Sequence, residues 1–375
     1  MYVPAIRSDI AGQTGKKSLA QEIDEANHRG MPPYATYVAR TIFMHTLAFN
    51  DQLKGLSPEH LRYSIVGPLA DISFIEAARQ RFMADSAYLD DRPGSPLRFL
   101  TEANLTQIIR GEERQVDPGE LRAQLNDRIK SIFEGPLLEA IRFPGGPWDV
   151  PDDVGSGRPL LAVMSYDGCS VGATIDTVPE LIARLYARKG ADGAGLRGLC
   201  NNLLFVVADD GRIDEMRHKM ARRLALQALK APERLLDLAA DQEAKVRELE
   251  ARAVAEVDIE SQQGYRHVFY PSRSRVAGAS VDLAHTALDI HSASERPGAG
   301  QQQIVRALQE LRKLRLAEDE PDAPAYIRDR TPLKRGQITT SALREEFRRD
   351  ASLPILIGDD VFIKGIRRGV EQGEY

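Results

Sequence analysis

The sequence predicts a helix-rich multidomain chain, an α/β domain flanked by all-α, winged-helix-like modules. Three observations predict it. Two short apolar runs, PLLAVMSY (159–166) and NNLLFVVAD (201–209), are hydrophobic throughout, as strands buried on both faces are. They alternate with helical segments, the pattern of a mainly parallel sheet. Residues 34–101 read helix, helix, tight turn, helix, hairpin, which is the order of a winged helix.

Residues 1–32 are polar and read as a connector with one short helix at 18–27. Within them IAGQTGKKS (10–18) approaches the phosphate-binding loop G-x-x-x-x-G-K-[ST]. Counted from Gly15-Lys16, however, Ile10 occupies the first glycine position and Lys17 the hydroxyl position, and no apolar strand leads in. The stretch lacks the residues that would cradle phosphates and hold magnesium.

Residues 33–115 form the winged-helix-like module. In YATYVARTIFMHTLAF, helical spacing puts Tyr34, Val38, Ile42, His45 and Phe49 on one stripe, and His45 reads as a core or interface residue. Ser57 is a good N-cap with Pro58 in the first turn. Helix 71–84 directs Ile72, Ile75, Ala78 and Phe82 inward and Ser73, Glu76, Arg79 and Gln80 outward. A hairpin over 88–101 supplies the wing. Its candidate nucleic-acid contacts are Arg62, Arg79, Arg81 and Arg98. Residues 55–104 hold five Arg and no Lys against seven Asp and Glu, so the positive footprint of a duplex reader is missing.

Residues 116–272 read as the α/β domain. Strand-like segments lie at 137–144, 159–166, 201–209 and 265–271, with a helix at 177–189 opened by a Thr177/Glu180 capping box. A long helical insertion at 211–262, broken at Pro232, reads as a projecting hairpin or a subunit contact. GCSVG (168–172) fits G-x-S-x-G, but the helix start expected directly after a nucleophile elbow is absent. Cys169, Asp209 and His267 are its candidate associates. Residues 273–335 read as a helical linker region containing the amphipathic QQIVRALQELRKLRLAED, with Ile304, Leu308 and Leu311 in line. Residues 336–375 pair a helix at 341–349 with one at 360–372, capped by Asp359 or Asp360, like a truncated helix-turn-helix. Lys364, Arg367 and Arg368 make its last helix basic. Without a following hairpin, Val361, Ile363 and Ile366 are expected to be partly uncovered.

Composition narrows the class. The 375 residues are 42% hydrophobic and 28% charged with a net charge of −5, ordinary for a globular protein and without a field that draws in anionic lipid. Two cysteines make neither a disulfide framework nor a four-cysteine zinc site. No apolar run approaches the roughly 18 residues of a membrane span, so a cytoplasmic location and no membrane partner are expected.

TYVARTIFMHTLAF with the pattern after it resembles the region downstream of the ATPase core in bacterial AAA+ ATPases that carry the domain of unknown function 499. Those proteins include the PglY-type ATPases of phage-defence islands. NNLLFVVADDGRIDEMRHKMARRLALQAL, YRHVFYPS and LREEFRRDASLPILIGDDVFIKGIRRGV extend the resemblance from about Tyr34 to the end. It implies a non-catalytic C-terminal part of a defence-associated AAA+ ATPase, relaying nucleotide state to DNA, to partner proteins or to other subunits of a defence complex. ATP and magnesium would be cofactors of the full-length family member, bound by a preceding P-loop domain, with none held by this chain. Arg40, on the first long helix of the family-like segment, is then the candidate to reach that ATP. The alternative is a free-standing winged-helix transcriptional regulator whose α/β domain senses a small molecule.

Overall fold

The computed structural model describes residues 2–48, 54–68, 70–90, 94–101, 103–153, 157–231, 238, 240–288 and 296–375. It is a helix-rich α/β protein of two compact units, residues 1–117 with 221–252, and 118–220 with 253–375.

The first unit is helical. Its helices are α1 (Leu19–Asn27), α2 (Tyr34–Thr46), α3 (Pro58–Ile65), α4 (Ile72–Asp85) and α5 (Leu105–Gln115). Each start has a chemical reason. Ser18 and Gln21 form a reciprocal capping box on α1. The Asp24 carboxylate, carried by α1, accepts from the Ala35 and Thr36 amides at 2.8 and 2.9 Å and so caps α2. Ser57, Asp71 and Asn104 cap the other three. Val38, Ile42, Leu61, Ile75, Ala78, Phe82 and Phe99 share one core. Antiparallel bridges Leu56↔Leu97 and Leu89↔Phe99 close it. Gly55, at φ 92°, passes so near this bridge that a Cβ would lie 2.7 Å from the Leu97 carbonyl oxygen; only glycine fits.

Several expectations change here. Residues 1–32 are more than a polar connector, because Ala5, Ile10, Ala20 and Ile23 are buried in that core. His45 is exposed: the inward face of α2 is Tyr34, Ala35, Val38, Ala39, Ile42 and Thr46, which turns residue 45 outward. Ile72 is 51% exposed at the first turn of α4, ahead of the inward stripe. Phe49 and the hairpin tip at 91–93 lie outside the described residues.

The second unit is built on a sheet. Its elements begin with α6 (Pro118–Phe133), β1 (Glu139–Arg142), β2 (Leu160–Val163), β3 (Ser170–Val171), α7 (Glu180–Ala187), β4 (Arg188–Lys189), β5 (Gly195–Leu196) and β6 (Leu203–Asp209). Helices α8 (Ile213–Leu229) and α9 (Ala240–Gly264) follow, and their central stretch, 221–252, groups with the first unit. Far from projecting bare, that stretch buries Ala225, Leu226, Leu229 and Val246; Pro232 is outside the described residues. The chain returns with β7 (His267–Pro271) and β8 (Leu283–Ala287).

The sheet order is β1-β2-β6-β7-β8, with β3 pairing the end of β6. The pairs β1–β2, β2–β6 and β3–β6 are parallel, whereas β7 pairs antiparallel with both β6 and β8, so the sheet is mixed. The long helical excursion returns the chain to the end of β6 that it left, His267 standing opposite Val207, so β7 runs back antiparallel. The Thr177/Glu180 capping box does not form; α7 starts after Pro179 with no side-chain cap.

Residues 273–335 contribute β8 to the sheet, then α10 (Ala299–Glu310), β9 (Leu314–Arg315) and α11 (Pro324–Arg330). Helix α10 ends short of its sequence pattern because Arg312 adopts a left-handed φ of 57° and turns the chain into β9. Finally α12 (Thr340–Arg349), β10 (Ile355–Leu356) and α13 (Asp360–Glu371) pack around Leu343, Phe347, Leu353, Leu356, Val361 and Phe362, with β10 parallel to β9. Val361 is buried at 2% exposure, Ile366 is half-buried and Ile363 is 53% exposed, so the uncovered face is narrower than expected.

Asn201, just ahead of β6, joins this last layer to the sheet. Its Nδ2 donates to the Phe347 and Leu353 carbonyls at 2.6 and 3.1 Å, and its Oδ1 accepts from Lys313 Nζ at 2.7 Å. Asn201→Ala would remove the side-chain donor to the Phe347 carbonyl and the acceptor of one N–H of a buried ammonium, while the Leu353 carbonyl keeps its bond from Lys313. It is expected to lower unfolding free energy by about 3 kcal/mol, read from the urea midpoint by circular dichroism. A loss below about 1 kcal/mol would mean that the layer is held elsewhere.

Candidate functional site

Helix α12 is capped by Thr339, whose Oγ1 accepts from the Ala342 amide at 3.1 Å, and it buries Leu343 and Phe347. Helical spacing then sets Thr340, Ser341, Arg344, Glu345 and Arg348 along one flank. Helix α13 buries Val361, Phe362, Gly365 and Gly369, leaving Ile363, Ile366 and Arg367 on its flank. Between the two flanks lies an open cleft of about 660 Å³, reached also by Leu199 and Asp153.

Three guanidinium groups, Arg344, Arg348 and Arg367, and three carboxylates, Asp153, Glu345 and Asp359, line it. Arg344 Nε donates to Asp359 Oδ1 at 2.7 Å, and its guanidinium lies 6.0 Å from the Phe362 ring centroid. Asp359 therefore serves Arg344 and makes no side-chain cap on α13, contrary to the sequence expectation. Arg348 Nη1 donates to Asp153 Oδ2 at 3.0 Å. Arg367 is exposed and makes no ion pair or hydrogen bond among the described residues.

The other basic residues singled out in the sequence scatter. Lys364 donates to the Ala317 carbonyl at 2.8 Å, and Arg368 stands 3.6 Å from Glu320, so of that trio Arg367 alone lines the cleft. In the first unit Arg79 is paired with Glu76 on its own helix, Arg81 hydrogen-bonds Asn27, and Arg98 pairs at 3.1 Å with the buried Asp90. Arg62 is half-buried near Glu76. Arg40 is exposed on α2 without a partner among the described residues, between exposed Tyr37 and Met44.

The glycine-lysine stretch is a tight turn, with Gln13 and Lys16 exchanging backbone hydrogen bonds at 3.0 and 2.9 Å. Ser18, the hydroxyl of the near-motif, is used as the cap of α1, and Lys17 pairs with Glu25. Ser170 lies on β3 opposite Ala208, while Asp209 and His267 (opposite Val207) occupy the other face of the sheet; a Ser-His-Asp relay is not assembled. Burial pushes the Cys169 thiol up to about 11, away from the thiolate.

Two features had no sequence signal. Arg197, 6% exposed, donates to the carbonyls of Leu185, Pro151, Val150 and Arg188 at 2.7 to 3.1 Å, pinning the turn before β6. His267 Nδ1 and His285 Nε2 share a hydrogen bond of 2.9 Å on adjacent strands, and Asp209 is 3.5 Å from the far nitrogen of His267. Among the described residues no cluster of His, Cys, Asp and Glu could hold a metal ion, and no helix is long and apolar enough to cross a membrane.

The histidine pair sets a pH dependence. Burial lowers the His267 pKa, and burial with the neighbouring His267 lowers His285 to about 4. Both imidazoles therefore take up protons more readily in the unfolded chain. Stability is complete above the unfolded value of 6.5 and falls as pH drops from there toward 4, by at most about 1.4 kcal/mol per pH unit for each ring. His285→Phe is expected to flatten that fall, measured by urea unfolding at pH 7 and 5; an unchanged slope would exclude the pair as its source.

No family model, curated protein or solved structure matches this chain.

Proposed function

We propose that this chain is a non-catalytic, C-terminal part of a defence-associated AAA+ ATPase of the kind carrying the domain of unknown function 499. It would relay nucleotide state, set by ATP and magnesium in a preceding P-loop domain, to partner proteins. The observation that carries the reading is the first unit: helices α2, α3 and α4 closed by the Leu56↔Leu97 and Leu89↔Phe99 bridges follow the element order of a winged helix, while its arginines are spent internally. A winged helix that reads DNA offers Lys and Arg to phosphates. This one ties Arg79, Arg81 and Arg98 to Glu76, Asn27 and Asp90 and exposes Tyr37, Met44 and Leu47 along α2. Such a module suits packing against another domain better than gripping a duplex. Arg40, in the middle of that exposed face, is the candidate on this reading to approach a nucleotide held by a neighbouring domain.

On this reading the purified chain shows no ATP turnover, and Lys16→Ala changes nothing. Steady turnover that disappears in Lys16→Ala would overturn it. DNA binding, where present, is weak and non-specific, with a Kd no tighter than about 1 μM at physiological salt. The double variant Arg62→Ala/Arg81→Ala leaves the carboxylates of Glu76 and Asp90 paired and is expected to bind duplex as the parent does. A tenfold loss, by about 1.4 kcal/mol, would restore a DNA-reading role to the module.

A further inference from the structure

We propose that the cleft between α12 and α13 is a binding site for a small phosphate ester that carries a flat apolar body. It does not depend on the relay reading, since it concerns the second unit alone. Arg344 and Arg348 stand one turn apart on α12, a like-charge i,i+4 pair that is unfavourable until an anion lies between them. Their carboxylate partners do little to settle it. Asp359 and Asp153 are 67% and 50% exposed, and exposed ion pairs hold weakly. Arg348 spends one of its N–H groups on Asp153, and Arg367 faces them across the cleft with no partner among the described residues.

Three guanidinium forks around one space suit a phosphate, whose three terminal oxygens can each accept, better than a two-oxygen carboxylate. The Thr340 and Ser341 hydroxyls in the first turn of α12 add neutral donors. Opposite this polar wall, Leu199, Phe362, Ile363 and Ile366 make an apolar surface, and Ile363 is an exposed aliphatic side chain that a ligand would cover. A volume of about 660 Å³ is in the range of small-molecule sites, which combine an apolar lining with a few polar anchors. The side chains of Arg344 and Arg348 are each only 17% exposed.

Isothermal titration of the full chain with naphthyl phosphate, inorganic phosphate and naphthol tests this. Naphthyl phosphate is expected to bind saturably at one site, inorganic phosphate at least about tenfold more weakly, and naphthol without saturation. Arg367→Ala, which removes a side chain without internal partners, should weaken naphthyl phosphate about tenfold and keep the parent circular dichroism spectrum. Arg348→Ala should act alike, and Ile363→Gln should weaken the ester but not inorganic phosphate. Absence of saturable naphthyl phosphate binding would overturn the proposal, as would binding that Arg367→Ala and Arg348→Ala leave intact. Equal competition by a short DNA duplex, phosphate for phosphate, would assign the arginines to a nucleic-acid face and overturn it too.

Discussion

Lys313 sits at the joint of the second unit, 9% exposed, and its Nζ donates to Asn201 Oδ1, the Ala351 carbonyl and the Leu353 carbonyl at 2.6 to 2.9 Å. Three acceptors meet three N–H groups. Burial works against the charge and draws the ammonium down to about 7, while each acceptor needs a donor that no apolar side chain could supply. The arrangement fixes where β9 begins, where the turn before β10 lies, and how both meet the start of β6. The parallel pair of β9 and β10, and with it the seating of α12 and α13, follows from that joint. The cleft between those helices thus takes its shape from a buried lysine that touches none of its lining.

The two units use charge in opposite ways. In the first, carboxylates consume the available donors: Asp24 caps α2, Asp9 accepts from Ser86 at 2.6 Å in the core, and Asp90 and Glu76 hold arginines. What remains exposed on α2 is Tyr37, Arg40, Met44 and His45. In the second, guanidinium groups outnumber their firm partners along α12 and α13.

Much of the local structure was legible because it rests on short-range rules. Continuous apolar runs marked β2 and β6, Ser57 and Pro58 marked the start of α3, and helical spacing of apolar residues marked α4 and α10. Failures have physical causes. Strand β8 reads LAHTA, with no alternation and a histidine that turns out to be stacked on His267 at 5.1 Å, so nothing distinguished it from linker. The Thr177 cap was a valid local signal overridden by tertiary packing, Gly278 donating its amide to the Asp176 carbonyl next to it. Lys313 and Asn201 are 112 residues apart, and Arg197 finds its four carbonyls across two loops; charged residues of this kind read as surface until the fold buries them. The cleft was half legible: its helices, Arg367 and the partly uncovered Ile363 and Ile366 were visible, Arg348 and Leu199 were not, because a groove belongs to two elements and a sequence pattern to one.

Neither unit is a continuous piece of chain. The sheet of the second is interrupted between β6 and β7 by α8 and α9, whose middle belongs to the first. During synthesis the first unit therefore lacks residues 221–252 until after β1, β2 and β6 have emerged, and β6 keeps an unpaired edge until β7 follows. Closing so long a loop delays the antiparallel half of the sheet, since chain entropy must be spent before the contacts form. The units alternate along the chain, each interrupted by a piece of the other, so neither can be made complete by truncating the chain at a single point.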